Sequence, residues 1–167
     1  MKILVFLHGT TVMHRSGVGH KRHDIVRQVI EGEETVRDFA SYVPIGNAVE
    51  KLETWEKRGA KILYLSSHRS PADVEKDKIV LRQHGFPHGE VFFRQEGEEY
   101  EDVADRIKPD ILVEDDCESI GGEREMTYPR MRPESRAEIK SITVREFGGI
   151  DHLPGDPGKL LQLSSQR

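Results

Sequence analysis

Cysteine is almost missing from this sequence. Cys117 is the only one, so no internal disulfide can form, and a lone thiol suits a reducing compartment. Excess positive charge is missing too: the formal charge is −5 and the pI is near 5.9. A general nucleic-acid binder would carry a strongly basic face, so small molecules or proteins are the expected partners. Long hydrophobic runs are absent as well. The apolar stretch Ile3 to Leu7 is too short for a signal-peptide core, and no segment approaches the roughly 20 apolar residues that a bilayer requires. The expected location is the cytoplasm, with no membrane partner. There is no internal repeat and no low-complexity tract.

What is present is an alternation. At 167 residues the chain has the size of one domain with one core. The runs KILVFL (2–7), KILYLS (61–66), EVFF (90–93) and DILVE (110–114) are nearly continuous in apolar residues, as strands covered on both faces must be. Between them lie stretches of helical period. Ala48, Val49, Leu52 and Trp55 follow the N-cap residue Asn47 and stop at Gly59. A second helix is expected from Pro71 to about His84. A third carries Tyr100, Val103 and Ile107 before Pro109. Strands alternating with such helices predict a Rossmann-like, doubly wound parallel α/β sheet over residues 1–150. Residues 12–46 stand outside the alternation and contain one short helix, His23 to Ile30; they are read as an insertion able to cover a site. SITVREF (141–147) offers a further strand. Residues 151–167 are expected to form a loosely held tail.

Ligands of an open α/β sheet bind beyond the carboxyl ends of its strands. Those ends read His8-Gly9-Thr10-Thr11, Ser66-Ser67-His68-Arg69, Arg94 and Glu114-Asp115-Asp116. All four carry groups suited to anions or metals.

In this order the segments resemble the haloacid dehalogenase (HAD) superfamily of phosphohydrolases. Its first motif is an apolar strand ending D-x-D-G-T, where this chain has Phe6-Leu7-His8-Gly9-Thr10. Its second, an apolar strand ending in Ser or Thr, matches ILYLS with Ser66. Its fourth, a strand ending in two acids, matches ILVEDD with Asp115 and Asp116. For the basic third motif Arg94 is the best candidate. The resemblance covers roughly residues 1–117 and implies a phosphate-monoester pocket, a small helical cap at about 12–46, and Mg²⁺ on Asp115 and Asp116 with a contribution from Glu114. Gly9, Thr10, Ser66, Ser67, Arg69 and Arg94 would line the phosphate side. Phosphorylated small molecules, a nucleotide among them, are the implied ligands.

The sequence departs from that family where the chemistry starts. Phe6 stands where the family has the aspartate that becomes phosphorylated, and it cannot act as a nucleophile. His8 occupies the acid–base position and can titrate near neutral pH. Period-two alternation places Phe6 and His8 on one face of the strand. Two readings follow: a phosphate-binding protein that has lost or altered its catalysis, or a metal-dependent phosphohydrolase in which His8, with Asp115, carries the reaction. A serine-hydrolase reading of the strand ending in His-Gly lacks a G-x-S-x-G elbow. SGVGHKR (16–22) lacks the G-K-[ST] of a phosphate loop. The basic stretch HRSGVGHKRH (14–23) is either a surface loop or the underside of the cap, with Arg15, Lys21 or Arg22 holding an anion above Asp115 and Asp116. Ser66 and Ser67 can equally cap the next helix, His8 can be a purely structural strand-end residue, and the acidic run Glu96 to Asp105 reads as a solvated face.

Overall fold

The structure is a computed structural model and describes residues 1–164. Its main sheet uses β1 (Lys2–Phe6), β4 (Lys61–Leu65), β5 (Val91–Phe92), β6 (Ile111–Asp115) and β7 (Lys140–Val144). The spatial order is β5-β4-β1-β6-β7, and every pairing is parallel. This is the expected doubly wound α/β sheet. The chain leaves β1 toward β4 on one side and later returns to pair β6 on the other. The switch point therefore falls between β1 and β6, the place where such sheets open a crevice.

The strands are apolar on both faces because both are covered. On one face Ile3, Val5, Ile62, Tyr64, Ile111 and Val113 pack with α2 (Ala48–Lys57) and α3 (Pro71–Gln83). On the other, Leu4, Phe6, Leu63, Leu65 and Leu112 pack with α4 (Tyr100–Ile107) and with Met131 and Ile139, which flank α5 (Pro133–Glu138). Trp55 and Tyr64 are fully buried, and each spends its polar atom on a carbonyl. The indole N–H of Trp55 donates to Pro154 O at 2.8 Å, and the Tyr64 hydroxyl donates to Pro87 O at 2.7 Å. α4 starts on a reciprocal capping box in which Glu99 and Asp102 each accept the other's backbone N–H. The run from Glu96 to Asp105 is thus partly structural.

Residues 14–42 are inserted between two very short antiparallel strands, β2 (Val12–Met13) and β3 (Val43–Pro44). The insertion holds α1 (Arg22–Glu31), ended by Gly32 in the left-handed conformation, and single turns at Arg15–Gly17, Glu34–Arg37 and Phe39–Ser41. Met13, Ile25 and Ile45 form a small core of their own beside Phe147.

The closing segment differs from the expected loose tail. Leu153 and Leu160 are buried in the main core, and α6 (Pro157–Leu160) opens with Asp156 accepting the Gly158 N–H. The reason lies in the partners rather than the local sequence, since α2 leaves Trp55 and Lys51 to be covered. Lys51 donates to Leu153 O at 2.5 Å. Residues 165–167 of that segment lie outside the described residues. Among the described residues no helix is long and apolar enough to cross a membrane.

Candidate functional site

At the carboxyl end of β1 the chain turns sharply instead of continuing as a strand. The N–H groups of Thr11 and Val12 both return to Leu7 O, and Gly9 takes φ +84°. Alternation therefore runs only to Leu7, which packs with Ile3 and Val5. The Phe6 ring lies edge-on to Tyr100, 5.0 Å between centroids, in the apolar layer on the α4 side. His8 turns to α3 on the opposite side, so Phe6 and His8 do not share a pocket as the alternation predicts.

His8 sits between two partners. Its Nε2 is 2.9 Å from Oδ1 of Asp77, and its Nδ1 is 2.6 Å from the Ser67 hydroxyl. Asp77 is 3 % exposed and comes from the middle of α3 rather than from a strand end. Its other oxygen accepts the Ser66 hydroxyl at 2.5 Å and faces His68 Nδ1 at 3.1 Å. Burial alone would raise the Asp77 carboxyl. The hydrogen bonds from His68, His8 and Ser66, with the charge of His8, outweigh it and hold the group below the usual carboxylate range. Phe39 and Tyr42 of the insertion close over this group, Phe39 at 4.1 Å from the His68 ring and Tyr42 at 5.4 Å from that of His8.

A second cluster lies on the other side of Gly9. Asp115, Asp116 and Glu146 bring carboxylate oxygens within 4.8 Å of one another. Asp115 accepts from the Thr10 hydroxyl at 2.8 Å and from the Cys117 N–H at 2.9 Å. Glu146 accepts from Ser119 through both its N–H and its hydroxyl, and Asp116 accepts the Glu146 N–H. These bonds hold the carboxylates in place without neutralising them. Burial pushes the Asp115 and Glu146 carboxyls up, and mutual repulsion within the trio adds to it. The donor set is all oxygen and negatively charged, which fits a hard divalent cation such as Mg²⁺.

The remaining strand-end residues divide. Ser66 and Ser67 join the His8 group. Arg94 stacks on Tyr100, 4.0 Å from the guanidinium carbon to the ring centre, and donates to Ser67 O at 2.9 Å, so it fixes the serine backbone. Arg69 pairs with Glu99 on the surface. Arg15 and Lys21 are exposed, and neither forms an ion pair among the described residues. Arg22 does reach the acidic side, donating to Glu118 and to Glu146 O. His14 is not part of a basic surface: it is buried, bonded to Gln28 and edge-on to Phe147. Glu114 is not a cation ligand either. Its side chain leaves the opposite face of β6 and accepts the Thr127 and Tyr128 N–H groups. Sequence reasoning missed Asp77, His68 as a partner of Asp77, Glu146 and Ser119. The expected strand ending at residue 147 would have placed Glu146 inside it, whereas β7 stops at Val144 and leaves Glu146 at its carboxyl end.

Two surface cavities lie elsewhere. One of about 290 Å³, lined by Lys108, Asp110 and Glu138 among others, opens at the amino ends of the strands. Its charges are exposed side chains, whereas the buried carboxylates of Asp115 and Glu146 are at the carboxyl end.

Comparison with solved structures agrees with that placement of the fold. A class C acid phosphatase from Bacillus anthracis, with tungstate bound, superposes with a TM-score of 0.55 at 13 % identity, over 99 % of this chain and 80 % of that one. The likeness is one of fold. A chain of a Pnkp1/Rnl/Hen1 complex superposes with a TM-score of 0.54 at 11 % identity over 87 % of this chain, which spans only 46 % of the length of that chain. No family model and no curated protein matches the sequence.

Proposed function

We propose that this protein is a HAD-like phosphoester-binding domain that holds the phosphate of a small phosphorylated molecule at the Asp115–Asp116–Glu146 cluster through a divalent cation, without an aspartyl-phosphate step. One observation carries the reading: three carboxylates converge at the β1/β6 switch point, two of them with raised affinity for protons. A divalent cation held by Asp115, Asp116 and Glu146 would relieve that repulsion and supply positive charge for a phosphate. The resemblance of the three strand-end motifs to phosphohydrolases, and the phosphatase among the structural neighbours, support the same ligand class. The insertion 14–42 acts as the cap, with Arg22 above the acids. Phe6 removes the family's nucleophile, so any turnover must use other groups.

The test is a thermal melt with Mg²⁺, alone and with tungstate or inorganic phosphate. Saturation at ~100 Kd stabilises by about 2.7 kcal/mol. The anion should add to the Mg²⁺ effect and do little without it. Asp116→Asn should remove both. A melting temperature indifferent to cation and anion in the millimolar range would refute the reading.

A further inference from the structure

We infer that Ser67, His8 and Asp77 form a nucleophile relay, with Ser67 taking the place of the missing aspartate as the group that receives phosphate; this rests on the phosphoester pocket proposed above.

The relay is built in the required order. Asp77 is buried, and both of its oxygens are engaged, Oδ1 by His8 and Oδ2 by Ser66 and His68. An ionised Asp77 accepts the proton on His8 Nε2, which leaves Nδ1 as the ring's acceptor. The group facing Nδ1 is the Ser67 hydroxyl at 2.6 Å, so its O–H donates to the ring. Exposure increases outward, from Asp77 at 3 % through the His8 side chain at 15 % to the half-buried Ser67. Arg94 and Tyr100 both donate to Ser67 O, so the serine backbone is held from the other side. A hydroxyl, a base and a base-orienting carboxylate within hydrogen-bond reach make an activated nucleophile. The relay and the acidic cluster are built on the same strand-end turn: His8 precedes Gly9, and a Cβ on Gly9 would meet Asp115 and Glu146.

Each step balances. As Ser67 Oγ bonds to phosphorus, its proton passes to His8 Nδ1, and the bond from phosphorus to the leaving oxygen breaks. The imidazolium, stabilised by Asp77, returns that proton to the leaving alkoxide. Water then attacks phosphoserine, with His8 again as base. Serine and inorganic phosphate are the products. Asp77 is a positioning residue throughout.

Two probes test the inference: p-nitrophenyl phosphate with Mg²⁺, and a small dialkyl fluorophosphate, whose P–F bond breaks as the serine ester forms. The expected result is a phosphoryl group on Ser67, found by peptide mass spectrometry after acid quench, and covalent labelling of the same residue by the fluorophosphate. Ser67→Ala should abolish both. His8→Asn should slow both by roughly 10²–10⁴-fold. Asp77→Asn should slow labelling and Asp77→Glu should restore part of the rate; a labelling rate in Asp77→Asn equal to that of wild type would make the carboxylate merely structural. Wild-type protein that leaves Ser67 unmodified by both probes, or turnover that survives Ser67→Ala, overturns the inference. The melting response to Mg²⁺ and phosphate separates the two readings. If it persists while Ser67 stays inert, the binding site stands and the relay fails; if it too is missing, the phosphoester pocket fails first.

Discussion

A Cβ placed on Gly9 would stand 2.9 Å from Oδ2 of Asp115 and 3.1 Å from Cγ of Glu146. The strand-end turn thus presses bare backbone against two acids of the cluster. Because φ is also +84° there, Gly9→Ala meets two costs at once, left-handed strain and displaced carboxylates. It should lose about 1–3 kcal/mol in denaturant unfolding and abolish the Mg²⁺ melting response. An alanine variant with wild-type stability and response would show that the close approach is incidental.

Asp77 links stability to acid. Its folded carboxyl is held below the ordinary range, so it contributes stability that is present above the unfolded value, near 4, and lost as pH falls through the folded value. Asp77→Asn should therefore be less stable than wild type by ~1–3 kcal/mol at neutral pH. The gap should narrow steadily below about pH 4. Urea unfolding of both proteins across that range measures it; a gap independent of pH would contradict the assignment.

Glu114 acts in the opposite direction. Burial pushes its carboxyl up to about 7, against the pull of two backbone N–H donors. The native state then holds a proton that the unfolded chain has released, so stability falls as pH rises from the unfolded value, near 4.3, to about 7 and is flat above it. A shift of that size is worth roughly 3–4 kcal/mol. Glu114→Gln should lose this slope, whatever it costs in absolute stability. Persistence of the same slope in the variant would assign it to other groups.

The closing segment is part of the core. Leu160 is fully buried among side chains of the main sheet face, so Leu160→Ala should cost about 2–5 kcal/mol. A loss below ~0.5 kcal/mol in thermal or denaturant unfolding, the range of ordinary surface changes, would show the segment to be dispensable.

The α/β class, the parallel strands and the three long helices were legible from periodicity alone, because a strand buried on both faces must be continuously apolar and a helix packed on one face must repeat near 3.6. Element ends agree closely: the helix expected from Pro71 to about His84 is observed over Pro71–Gln83. The strand-end rule likewise singled out His8, Ser66, Ser67, Asp115 and Asp116 as the residues to examine, since it depends only on where strands stop. The partners of those residues were not legible. Asp77 lies three residues after Val74 and three and four before Val80 and Leu81, on the buried stripe of its helix, but helical spacing does not say which groups a charge on that stripe will meet. Glu146 became visible only when β7 ended three residues earlier than its apolar pattern suggested. Leu153 and Leu160 looked like residues of a tail because their partners, Trp55 and the sheet face beneath it, lie about a hundred residues away in sequence. Local composition determines which segments become strands and helices; which charges meet is decided by packing, where desolvation makes each buried carboxylate depend on the neighbours that the fold brings to it.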